Sequence, residues 1–247
     1  MDIVYVVGKG SKHDNLELRM SLRSIAKFGK NVGNVIVVGM SPKWLSDNII
    51  KVEVEDKYVY KHSNILMCIE KVVELGLVQG DFLYSSDDHF YCKHVDFNQY
   101  PYFLKGELRD KVFNCDPYYR YHKSLVDTRE LCNKYGFQTR DYSQHCNTHM
   151  NAEVIAEIKP VIQESYRLPF GVEPTSLIMN AWQTRHNAPE VIKREDVKIL
   201  YAENLADLWR RIGDRDCFSI GDSLFNGSAI RNFFKQTYSN KSPFEAD

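Results

Sequence analysis

From residue 1 to residue 90 the chain alternates short apolar runs with amphipathic stretches, and that alternation narrows the fold more than any other feature. Residues 3–7, 34–39 and 49–54 are apolar runs of strand length, and residues 80–84 form a fourth that is rich in aromatics. Between the first two lies a helical pattern, opened by a capping box of Asp14 and Glu17 and closed at Gly29; a second helix is predicted over 64–75. Continuous apolar strands are covered on both faces, so the alternation predicts an α/β fold: a mostly parallel sheet with right-handed crossovers, flanked by helices. The fourth run is the most telling, because Phe82-Leu83-Tyr84-Ser85-Ser86 ends in the adjacent carboxylates Asp87 and Asp88. In open α/β sheets the ligand crevice lies outside the C-terminal strand ends. Two hard oxygen ligands there suit Mg²⁺ or Mn²⁺ holding a diphosphate, the alternative being a solvated acidic loop.

The 247 residues fit one large domain spanning 1–247, with residues 91–146 as an insertion within it. Thirty-two Lys and Arg against 33 Asp and Glu leave a net charge of −1, so no global positive field draws the chain to nucleic acid. A nucleic-acid partner is left open only through a local basic groove. Met1-Asp2-Ile3-Val4-Tyr5 reads as a first strand rather than a secretory signal, and a cytoplasmic location is expected. No apolar run approaches the roughly 20 residues that span a bilayer. The six cysteines are scattered without close pairs, which speaks against a disulfide framework or a zinc knuckle and for reduced core fillers.

Beyond Tyr91 the pattern loosens. Tyr100-Pro101-Tyr102-Phe103 and Asp116-Pro117-Tyr118-Tyr119-Arg120-Tyr121 cluster aromatics beside cations, a composition that serves equally for stacking an acceptor and for capping a core. Helices are expected over 118–135 and over 152–164, the second with Asn151 as N-cap. A buried strand over 215–220, a polar end at Gly221-Asp222 and a last helix over 224–234 complete the chain.

Several segments together resemble a known family. Asp14 to Ile25, then Val35-Ile36-Val37-Val38 and Pro42-Lys43-Trp44-Leu45, resemble the second block of the Stealth sugar-phosphate transferases, and Ser86-Asp87-Asp88 stands where that block carries Asn-Asp-Asp. His62-Ser63-Asn64 with Ile69-Glu70 is similar to the family's Asn-Ser-Asn-Ala-Ile-Glu segment. Thr148-His149-Met150 is similar to its third-block His-Met-Pro, with Asn151 in place of Pro. Cys217 to Asp222 and Lys241-Ser242-Pro243-Phe244-Glu245 are similar to the fourth block, with Gly-Asp for Asn-Asp. The first block departs most: its Trp is absent and Lys9 introduces a positive charge. The resemblance implies a compact, divergent member with a GT-A-like nucleotide-sugar-binding sheet. It also implies a metal-dependent transfer of a sugar 1-phosphate from a nucleotide-sugar, UDP-sugar foremost, to an acceptor hydroxyl.

That chemistry needs a divalent ion, cationic groups for the diphosphate and one base. Asp87, Asp88 and Asp222 would meet around Mg²⁺ or Mn²⁺ if the last strand lies beside the Asp87-Asp88 strand; otherwise Asp222 only caps the final helix. Arg19, Arg23 and Arg167 are the expected phosphate contacts, set against the usual solvated role of surface arginines. Asn64 would bind sugar or nucleotide through its amide or else cap its helix. His149, read as standing in a polar loop, is the candidate base, with His145 and His89 as rivals. Two alternatives stand beside sugar-phosphate transfer. One is a GT-A-like glycosyltransferase acting on a glycan, a protein or a modified nucleic-acid base; the other is a non-catalytic nucleotide- or carbohydrate-binding protein.

Overall fold

Strand β1 (Ile3–Val7) lies at the centre of a five-stranded sheet, with β2 (Val35–Gly39) and β3 (Ile49–Glu53) on one side and β4 (Asp81–Ser85) on the other. These four strands are parallel, as the alternation predicts. The computed structural model describes residues 1–246 apart from 10, 12, 13, 114, 187 and 188, so Gly10, Lys12 and His13 of the expected first loop lie outside the described residues. Helices α1 (Leu16–Phe28) and α2 (Lys61–Glu74) cross over between the strands on opposite faces. Strand alternation sets which side each residue covers. Ile3, Tyr5, Val35, Val37 and Leu83 pack with Leu18, Leu22 and Ile25 of α1. Val4, Ile36, Val38, Phe82 and Tyr84 pack with Leu66, Ile69 and Val72 of α2.

A fifth strand, β6 (Thr148–Asn151), joins the free edge of β4 in antiparallel register, with His149 opposite Leu83. The expectation of a polar loop here is corrected: a stretch as short as Thr-His-Met-Asn carries no strand signal of its own, and the exposed β4 edge recruits it. Beyond β4 the chain leaves the large sheet and enters a small one through β5 (His89–Tyr91). There β5 pairs antiparallel with β8 (Cys217–Ile220), which pairs parallel with β7 (Lys198–Ile199). Asp87 and Asp88 therefore occupy the turn between two sheets. The 91–146 segment contains α3 (Tyr119–Lys134) and short strands that pair among themselves, with residues 29–30 and with residues 191–193.

The helix predicted over 152–164 is two helices, Ala152–Glu157 and Lys159–Ser165, because Pro160 cannot continue the first and fits the opening turn of the second. The last predicted helix is likewise divided, into Asp222–Phe225 and Ser228–Thr237. Helix α2 starts at Lys61, earlier than expected. The capping box of Asp14 and Glu17 is replaced by another device: the Ser11 hydroxyl donates to Glu17 at 3.1 Å and accepts the Asn15 amide at 2.9 Å. All cysteines but Cys115 are buried free thiols. Among the described residues no helix is long and apolar enough to cross a membrane.

Candidate active site

Parallel strands send their C-terminal ends, and the N-termini of the helices that follow, to one edge of the sheet. The closeness of that edge is visible at Gly39, whose φ of +106° excludes other residues and where a Cβ would lie 2.3 Å from the Val7 carbonyl oxygen. Asp87 and Asp88 stand on this edge at the end of β4. Asp88 accepts a 2.7 Å hydrogen bond from Ser219 of β8, and its other oxygen lies 4.0 Å from His89 Nε2. Burial works against its charge, but His89, the Ser219 bond, Lys198 and His145 outweigh that and hold its carboxyl below the usual range. Asp87 goes the other way. Burial first, then the charges of Asp88 and Glu17, push it up to about 7, with Lys61 opposing. Adjacent carboxyls thus have opposite proton preferences near neutrality, a signature of functional acid pairs.

His145 completes this half of the site. Its Nδ1 donates to Asp196 at 2.7 Å, Lys105 holds the same carboxylate at 2.9 Å, and Nε2 faces Lys198 at 3.4 Å. An imidazole fixed by a carboxylate at one nitrogen, and met at the other only by a long contact from Lys198, is arranged as a base for a hydroxyl that displaces that lysine. His89 is not: it is 2 % exposed, burial lowers it to about 4, and its Nδ1 accepts the Ser86 amide at 3.4 Å, holding the turn that carries the acid pair. Asn147, which is 1 % exposed, lies against the His89 ring and interacts with it through its side chain.

The other half lies across the ends of β1 and β2. Asn15 Oδ1, Ser41 Oγ and Trp44 Nε1 are buried without a hydrogen-bond partner among the described residues, whereas Arg19 Nε lies 3.7 Å from the Glu245 carboxylate. The Arg19 guanidinium lies over the Trp44 ring at 4.5 Å. With Arg19 on one face of the indole, the other face and the unpaired Trp44 Nε1 suit a planar, hydrogen-bonding ligand such as a nucleotide base.

Other expected site residues are elsewhere. Arg23 makes a two-pronged 2.8 Å pair with Glu245 and donates to the Tyr238 carbonyl at 3.0 Å; Arg19 lies 3.7 Å from the same carboxylate. Burial opposes the charge of Glu245, but Arg23 and Ser242 hold its carboxyl below the usual range. Arg23 therefore anchors the Ser242-Pro243-Phe244-Glu245 segment onto α1 instead of reaching phosphate. Asn64 accepts from the amides of Lys57 and Tyr58 and donates to the Tyr58 carbonyl, closing the loop before α2, so its binding role is also corrected. His149 is 3 % exposed, donates Nε2 to the Tyr100 carbonyl at 2.7 Å and stacks on Tyr102; burial lowers it to about 4. It is part of the sheet core, not an accessible base. Asp222 is exposed at the start of its short helix and makes no bond to Asp87 or Asp88, and Arg167 is exposed after the Lys159–Ser165 helix.

Among the described residues no group of three His, Cys, Asp or Glu side chains is arranged to hold a metal, so the expected Asp87-Asp88-Asp222 cage does not form. Two carboxylates nevertheless fit Mg²⁺ or Mn²⁺ arriving with a diphosphate, since such ions take few protein ligands and fill their shells with phosphate oxygens and water. The raised Asp87 carboxyl is the observation that fits: burial first and the Asp88 charge second disfavour its ionised form, and a bound cation would offset both. No protein-family model matches the sequence, and no curated protein matches it.

Two expectations follow. Breaking the Arg23–Glu245 pair by Arg23→Ala leaves a largely buried carboxylate with only the longer Arg19 contact and the two Ser242 bonds, and should cost about 2 kcal/mol in urea unfolding. The Glu245→Gln change should cost less than additively in the double variant. A fully stable Arg23→Ala protein lacking only ligand binding would return Arg23 to the site. For Asp87, the raised carboxyl contributes stability that is complete below the unfolded value near 4 and is lost as pH rises through about 7. Asp87→Asn should therefore gain on the order of 2 kcal/mol over the native protein at pH 8, and nothing near pH 4. Parallel Tm–pH curves for the two proteins would contradict the assignment.

Proposed function

We propose that the protein is a nucleotide-sugar-dependent transferase that delivers the sugar to an acceptor hydroxyl. The observation that carries this reading is the acid pair of split protonation facing the His145–Asp196 dyad at the C-terminal edge of a parallel sheet. Trp44, Ser41, Asn15 and Arg19 would hold the nucleotide base and adjoining phosphate, with UDP-sugar as the first donor to test. Asp87 and Asp88 would hold Mg²⁺ or Mn²⁺, which when bound offsets diphosphate charge. His145 Nε2 takes the acceptor proton while Asp196 fixes the ring through Nδ1; the new bond forms from the acceptor oxygen to the anomeric carbon, and the bond from that carbon to the diphosphate breaks. Lys198, already facing His145, is placed to meet charge developing on the departing diphosphate.

Transfer of the sugar 1-phosphate is the second reading, supported by Arg19, whose side chain remains about a third exposed beside Trp44. Engagement of Arg23 with Glu245 removes one of the three guanidinium groups which that reading assigns to the phosphates, and this favours transfer of the sugar alone. Identifying the nucleotide released separates the two: a diphosphate for sugar transfer, a monophosphate for sugar-phosphate transfer.

A further inference from the structure

The surface beside the start of α2 and the start of α3 combines two features that rarely coincide. Val59, Phe113 and Tyr118 are large apolar groups 93 %, 68 % and 63 % exposed. Behind them Phe170 meets Tyr60 at 4.9 Å and Tyr119 at 6.0 Å between ring centres, forming a continuous aromatic shelf. Four exposed cations border it: Arg120 over the Tyr60 ring at 5.8 Å, Lys61 next in sequence to Tyr60, and Lys57 and Arg167 beside the stacked pair Tyr58 and Tyr166. None of the four lies within ion-pair distance of an acid among the described residues, although Arg167 acts on Glu164 and Lys61 on Asp87 from farther away; Asp116, the acid at the start of α3, is already engaged by His122 and Arg109.

We infer that this shelf binds a single-stranded polynucleotide, with bases on the rings and phosphates on Lys57, Lys61, Arg120 and Arg167. Its role as acceptor platform rests on the transferase reading. Alternating flat faces and unpaired cations match the alternation of bases and phosphates along a strand. A neutral glycan would use the rings but leave four cations unanswered, and an apolar protein partner would bury them at a cost. The shelf also adjoins the chemistry. Lys61 acts on Asp87, and Tyr121 of α3 donates at 2.9 Å to Ser143, two residues from His145. A base lifted from its neighbours onto the shelf would bring a hydroxyl it carries to His145, losing the proton to Nε2 as its oxygen takes the sugar and the nucleoside diphosphate leaves.

The test is fluorescence polarisation of a labelled single-stranded oligonucleotide, as DNA and as RNA, with the full chain and no nucleotide-sugar present. Four phosphate contacts give a slope of about −3 in log affinity against log salt, and Arg120→Ala should flatten it by about 0.7. Tyr118→Ala should weaken binding roughly tenfold without changing the slope. Matching duplex should bind less well, and neutral oligosaccharide should not compete. No binding at about 50 mM salt, or binding indifferent to both substitutions, overturns the inference, as does an oligosaccharide whose binding these substitutions abolish. Nucleotide-sugar turnover without polynucleotide binding overturns the shelf and leaves the transferase standing; binding by a chain that turns over no nucleotide-sugar supports the shelf and removes the transferase reading.

Discussion

Asp88→Asn is expected to abolish turnover, lowering kcat by roughly a thousandfold or more, while the protein stays folded. Asparagine keeps the shape of the side chain and an oxygen that accepts from the Ser219 hydroxyl, so the turn between the two sheets retains its anchor. What disappears is one full negative charge. In the native chain that charge is held in place by His89, Ser219, Lys198 and His145 despite burial, an arrangement a merely solvated turn would not need. Its removal should also relieve Asp87, whose carboxyl is raised partly by Asp88, and move it back toward the ordinary range. The substitution therefore has two readouts, loss of activity and an earlier Asp87 titration. Activity within about twofold of native would exclude the acid pair from the chemistry.

His145→Ala is expected to lower kcat by about 10²–10⁴ with little change in KM for the donor, the range for losing a positioned base. Added imidazole should restore part of the rate, because the cavity left by the ring stays lined by Asp196 and Lys198. Asp196→Asn should reduce kcat by less, since it loosens the ring without removing it. His149→Ala provides the contrast. That ring is packed on Tyr102 and bonded to the Tyr100 carbonyl, so its loss should lower Tm while leaving kcat per folded molecule nearly unchanged. A large donor-affinity loss in His145→Ala with kcat preserved would move His145 from the acceptor side to the donor side.

The difference between these two histidines shows what is legible in a sequence and what is not. Apolar strands with both faces covered announce themselves, and the parallel sheet with its acid pair at a strand end could be read from residues 3–90. His149 could not, because its burial depends on pairing between β6 and β4, two segments far apart in sequence whose contact leaves no local periodicity. Asp196 and Lys198 were invisible for a related reason: they reach Asp88 and His145 only because β7 and β8 close on β5, and a lone acid and a lone lysine in a polar loop carry no spacing signal. Ser219 did carry one, as a polar residue inside the buried run Cys217-Phe218-Ser219-Ile220, and such a residue needs a partner. Arg23 misleads in the opposite sense. Its four-residue spacing from Arg19 suggests a shared phosphate-facing stripe, but Glu245, 222 residues away, claims it.

The central claim is that an acid pair at the end of β4 and the His145–Asp196 dyad together turn over a nucleotide-sugar. Mass spectrometry of the nucleotide released from a panel of UDP-, GDP- and CDP-sugars, with Mg²⁺ or Mn²⁺ and with single-stranded polynucleotide and glycan acceptors, tests it most directly. The expected result is a metal-dependent nucleoside diphosphate that is absent with Asp88→Asn and strongly reduced with His145→Ala. A nucleoside monophosphate with a phosphosugar on the acceptor would replace sugar transfer by sugar-phosphate transfer, and no released nucleotide from any donor would contradict the account.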